Sequence, residues 1–188
     1  MKTCVGAMAD GRTTAARCRL GARGFTIIEL MIVIAVIAVI AAIAIPNLLA
    51  SRRASNEAAA VQALRAIHAA QQLFRDRDFD KDGHPNYAGS LFLLAGLLDS
   101  QLTTPAPERP FHDASQRSGY WFGIIDVGND HAGTEFMAMA HPVAMGRSGD
   151  RVFVIDESAV IRSSTLDILA GGAEPSHAEI RAWTPIGG

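Results

Sequence analysis

Asp76 to Asn86 reads Asp-Arg-Asp-Phe-Asp-Lys-Asp-Gly-His-Pro-Asn, the densest run of oxygen ligands in the chain. Asp78, Asp80, Asp82, Gly83 and Asn86 fall at positions 1, 3, 5, 6 and 9 of a calcium-binding loop. Alternate carboxylates on a tight turn converge on one point, and glycine permits the turn. Position 12 holds Gly89 where a bidentate glutamate would complete the set. The residues therefore predict either a weak calcium site or an acidic turn that ends a helix at Gly83. Asp126, Asn129 and Asp130 form a second acidic loop. Calcium is the one cofactor these residues could hold, and none is required. The histidines at 68, 84, 112, 131, 141 and 177 lack the paired spacing of a zinc site. There is no nucleophile elbow, phosphate loop or dinucleotide fingerprint, so catalysis is not expected.

Glu29 is the second chemically loaded residue. It is the single charge in the otherwise apolar stretch Phe25 to Ile45. A charged group near the centre of a membrane helix costs about 2.5–3.5 kcal/mol, and less near an end. A helix of 21 residues spans about 31 Å, close to the hydrocarbon thickness of a bilayer. Lys2, Arg12, Arg17, Arg19 and Arg23 precede it against Asp10 alone. This asymmetry keeps the N-terminal side in the cytoplasm and directs residues after 45 outward. A signal peptide fits poorly, because the apolar run is too long and the small residue, Gly24, lies before it.

The segment Gly24-Phe25-Thr26-Ile27-Ile28-Glu29-Leu30, between a basic leader and an apolar helix, resembles the processing site of type IV prepilins and type II secretion pseudopilins. The resemblance implies cleavage between Gly24 and Phe25 by the membrane prepilin peptidase and N-methylation of Phe25 by the same enzyme. It also implies that Glu29 pairs with the terminal amine of a neighbouring subunit, which offsets the cost of its charge. Pilins carry a proline near the position of Pro46, and a proline there removes one backbone donor and predicts a kink. The leader is long for pilins whose mature chain begins with Phe, and Met8 is an alternative start.

These residues need a scaffold. Ala60, Leu64, Ile67, Gln71 and Phe74 recur at three- and four-residue steps, with Val61 and Ala70 alongside, which continues the helix from Asn47 to Phe74. Arg52, Arg53, Glu57 and Arg65 occupy the other side, and His68 sits at the boundary of the stripe. The whole helix, roughly 50 residues, is about 75 Å long. Ser90 is placed to cap a short helix Leu91 to Leu94 that ends at Gly96, with Leu91, Leu93, Leu94, Leu97 and Leu98 as core. Residues 99–119 read as an irregular crossing. Tyr120 to Asp126, Glu135 to His141, Arg151 to Asp156 and Val160 to Ser163 read as strands separated by turn signals. Short spacing between them predicts antiparallel hairpins. Tyr120, Trp121, Phe122, Phe136 and Phe153 belong to the core, and the tail from Thr165 drapes over the sheet edge.

The expected fold is α+β: a long N-terminal hydrophobic helix, kinked near Pro46, packed on an antiparallel β-meander of about four strands. Residues 1–24 form the leader, 25–45 the membrane or filament-core half of the helix, 46–77 its amphipathic half and 78–188 a periplasmic head. Residues 25–188 hold 12 basic and 18 acidic groups, which disfavours a nucleic-acid-binding face. Both cysteines, Cys4 and Cys18, lie in the leader.

Two functions follow. One is a pilin or pseudopilin subunit in the bacterial inner membrane, polymerising with other subunits through inner-membrane assembly machinery. The other is a membrane-tethered periplasmic calcium-binding module outside any filament.

Overall fold

The computed structural model describes residues 24–81, 83–105, 114–125, 133–165 and 177–186. Helix α1 runs Ile27–Asp76 with Pro46 inside it. The backbone divides after Ile43 into two compact units.

In the first unit Phe25 is 82% exposed, and the large apolar side chains of α1 that follow it are exposed from Ile27 through Leu30 and Ile34 to Ile43. The helix is long and apolar enough to cross a membrane.

The second unit begins at Ala44. Here α1 buries Ala60, Ala63, Leu64, Ile67, Ala70, Gln71 and Phe74, which is the expected stripe. Gln71 holds its place among apolar neighbours because its amide is fully paired. Its Nε2 donates to the Ala88 carbonyl and its Oε1 accepts from the Ala88 N–H, both at 2.8 Å. Leu64 is fully buried, so Leu64→Ala should lower the unfolding free energy by about 2–5 kcal/mol, read as a fall in the thermal midpoint by near-UV circular dichroism.

A 3₁₀ helix, Leu91–Leu94, and α2, Ser100–Thr103, follow. Asp99 caps α2 by accepting from the Gln101 N–H at 3.1 Å. Ser90 takes the cap position of the 3₁₀ helix without a side-chain hydrogen bond, so the expected hydroxyl cap does not form. Leu91 and Leu94 are buried as expected, while Leu93 is 51% exposed because the tight helix turns it outward.

Among the described residues the sheet has six strands in the order β1-β2-β3-β4-β5-β6, each antiparallel to its sequence neighbour. They are β1 Ser115–Arg117, β2 Tyr120–Ile125, β3 Met137–Pro142, β4 Val152–Asp156, β5 Ile161–Ser164 and β6 Thr184–Pro185. The meander is as expected, but the expected count of four omits the two edges. Strand β1 is polar throughout and has no apolar alternation to betray it. Its partner is set by the two-residue turn Ser118-Gly119, both at positive φ (49° and 75°). Strand β6 has two residues, one of them proline, which suits an edge.

Both faces of the sheet are covered. Tyr120, Phe122, Ala138, Ala140, Phe153, Ile155 and Ile161 pack with the α1 stripe. Trp121, Ile125, Met137, Met139, Val152 and Val154 form a second cluster with Ala114, Ile180 and Trp183. Ile180 lies in α3, His177–Arg181. The C-terminal segment thus covers a sheet face as well as pairing at the edge.

Candidate functional site

The site anticipated from the sequence lies at the start of α1. Gly24, Phe25 and Thr26 are exposed and outside the helix. The Gly24–Phe25 peptide bond is therefore free of helical structure, and nothing lies within 4 Å of where a Gly24 Cβ would stand.

Glu29 does not simply protrude. Its Oε2 accepts from the Thr26 backbone N–H at 3.0 Å and from the Thr26 hydroxyl at 2.8 Å. The Thr26 Oγ1 in turn accepts from the Glu29 N–H at 3.2 Å. This is a reciprocal capping box, which satisfies backbone donors that the first turn of a helix leaves unpaired. Glu29 stands out in the sequence by its charge, whereas its partner Thr26 does not. The signal was present as Thr-x-x-Glu ahead of an apolar run. Glu29 is thus held by its own chain, and its first-turn position also suits a negative charge near the positive end of the helix dipole. Pro46 lies farther along the same helix.

The acidic run forms the exit from α1. The Asp78 Oδ2 accepts from the Gly83 N–H at 3.1 Å. Asp78, Lys81 and Gly83 have positive φ (46°, 59° and 81°), so the chain turns back tightly here. Asp80 is exposed, Asn86 is half-buried, and Asp82 lies outside the described residues, as do Asp126, Asn129 and Asp130. Among the described residues, no three of His, Cys, Asp and Glu come together as a group that could hold a metal. The segment after the run is fastened to α1, with Tyr87 Oη accepting from Arg75 Nη1 at 3.0 Å and from Gln72 Nε2 at 3.3 Å. His68 lies at the core boundary, as expected, with its ring 5.9 Å from that of Phe136.

Two charges assigned to the solvent side of α1 instead brace the β3–β4 connection. Arg53 Nη1 donates to both oxygens of Asp150 at 3.1 and 3.2 Å. Glu57 accepts from the Asp150 N–H at 2.9 Å and from Arg151 Nε and Nη2 at 3.0 and 2.7 Å. Asn56 Nδ2 adds a bond of 2.8 Å to the Ser148 carbonyl. Helical periodicity reports only which side is apolar, so it could not foresee polar partners supplied by a distant loop.

A family model for the prokaryotic N-terminal methylation motif matches residues 19–45. The type IV major pilin protein PilA of Myxococcus xanthus (strain DK1622) is 42% identical over 69 residues. These cover 37% of this chain and only 30% of PilA. No solved structure matches the chain significantly. The motif and the PilA match support the type IV pilin and pseudopilin family.

Proposed function

We propose that the chain is a structural subunit of a type IV pilus or of a type II secretion pseudopilus. The observation that carries this reading is the coincidence at one place of three features. The methylation motif spans residues 19–45, Gly24-Phe25 lies one residue ahead of α1, and the apolar side chains that follow are exposed. An exposed apolar surface of this length needs a cover, and a bilayer and a bundle of like helices can provide it in succession.

In this reading the basic leader stays in the cytoplasm, the segment Phe25 to Ile45 crosses the inner membrane, and the second unit lies in the periplasm. Prepilin peptidase hydrolyses the Gly24–Phe25 bond and the new Phe25 amine is methylated. Inner-membrane machinery then moves the subunit into a filament of like subunits. There the Glu29 carboxylate meets the terminal amine of a neighbour, and its charge is neutralised within the bundle.

The test is the intact mass of the protein extracted from membranes of its native host. The expected mass lacks residues 1–24 and carries one added methyl group. A chain that retains the leader overturns the reading.

A further inference from the structure

Among the described residues, segment 177–186 has few backbone bonds to the sheet. Its backbone attachment is slight. Strand β6 pairs only Thr184 with Ser163 and Pro185 with Arg162. Pro185 has no N–H to give, and the Ile186 N–H donates to the Ile161 carbonyl at 2.8 Å. Helix α3 has five residues, far short of the 12–15 at which a helix becomes even marginally stable alone. No cysteine occurs after Cys18, so no disulfide ties the segment down.

Side chains make up the difference. Ile180 is 1% exposed and, with Trp183, covers Trp121, Met137, Met139, Val152 and Val154. Beside this apolar contact, Arg181 Nη2 reaches Glu157 Oε1 at 3.0 Å and Glu135 Oε2 at 3.9 Å. Glu157 begins the β4–β5 turn and Glu135 precedes β3, so one guanidinium bridges two separate approaches to the sheet. The Arg181 side chain is about half exposed (49%) and its carboxylates are 29% and 27% exposed. Pairs this open to water are screened by salt.

We propose that residues 177–186 form a strap that opens from the sheet as a unit while β2–β4 remain paired, with Arg181 as its salt-sensitive latch. Strands β2 and β3 pair over six positions and β3 and β4 over four, and their side chains fill both clusters. The strap contributes one buried isoleucine, Ile180, and the half-buried Trp183 and Ile186, the last packed against the cluster on the α1 side. Units so unequal in contacts open with unequal free energies. The open strap bares the methionine and valine face of the sheet.

Hydrogen exchange followed by mass spectrometry on the full chain in detergent micelles tests this. Amides of 180–186 should exchange faster than those of β2 and β3. Raising the salt from 0.05 to 0.5 M should accelerate the strap alone. Arg181→Ala should speed exchange of the strap about two- to five-fold, remove the salt response and leave β2 and β3 unchanged, while Arg181→Lys restores part of the protection. Ile180→Ala should accelerate the strap about 30-fold or more, still without affecting β2 and β3. Exchange of strap and sheet at one common rate, or acceleration of both together by Arg181→Ala, overturns the strap. A fast strap indifferent to salt and to Arg181→Ala overturns the latch.

Discussion

Glu29→Gln should leave the chain in the membrane and keep it out of the filament. Glutamine preserves the length and the acceptor oxygen that Thr26 uses, so the capping box can persist with its hydroxyl and backbone bonds in place. What glutamine removes is the charge. Under the proposed assembly that leaves a terminal ammonium unpaired inside an apolar bundle. Breaking a buried pair from one side costs about 3–5 kcal/mol, which is roughly a hundredfold or more in the assembly constant. Thr26→Ala makes the complementary change: it keeps the charge and loses part of the cap, a loss of about 0.5–2 kcal/mol. The measurement is the ratio of sheared filament to membrane-bound subunit by immunoblot. Assembly of Glu29→Gln at the normal level, with Thr26→Ala defective, would show that capping alone explains Glu29.

Gly149→Ala should produce a large loss of folding stability in the second unit. An added Cβ would overlap the Tyr120 hydroxyl and stand 2.6 Å from its Cζ and 2.8 Å from its Cε2. The tyrosine cannot easily retreat. It is fully buried, its hydroxyl donates to the Arg151 carbonyl at 2.9 Å, and its ring lies 5.9 Å from that of Phe153. Burial, and then the nearby Glu57 charge, push its phenol well above the usual range, so it stays a donor at any ordinary pH. The loop is equally fixed, because Asp150 and Arg151 are bound by Arg53 and Glu57. Overpacking of this kind costs about 1–3 kcal/mol, occasionally more. At about 2–4 °C per kcal/mol for a unit of this size, the thermal midpoint should fall by roughly 2–12 °C. Gly89→Ala is the control: it has nothing within 4 Å and no positive φ, so its midpoint should hardly move. An unchanged midpoint for Gly149→Ala would mean that the loop gives way more readily than its hydrogen bonds imply.

The fold was largely legible in the sequence where apolar pattern alone decides it. The α1 stripe from Ala60 to Phe74 and the four inner strands were readable because burial on one face imposes a period. Their ends moved by one or two residues, as at Met137–Pro142. The edges were not readable. Ser115–Arg117 and Thr184–Pro185 pair through backbone groups that every residue type carries, so side-chain composition says little about them. At the N-terminus the opposite held. Gly24, Phe25 and Glu29 were conspicuous, while Thr26 looked like one polar residue among apolar ones until its hydroxyl was seen to face Glu29. The roles of Arg53 and Glu57 depend on Asp150 and Arg151, nearly a hundred positions away, and no local pattern encodes such a pairing.

Sheet order bears on how the molecule comes into being. Each strand pairs with the one before it, so the sheet can be laid down as successive segments arrive, with little waiting for distant chain. Ile180 and Trp183, which pack on its second face, follow β1 to β5 in the chain and so arrive after them. Under the proposed topology, delivery across the membrane includes an interval when β1 to β5 are in place and Met137, Met139, Val152 and Val154 lack the cover of Ile180 and Trp183. In that topology the interval, set by how fast the chain as far as Trp183 emerges, is the time in which one newborn molecule could adhere to another through this face.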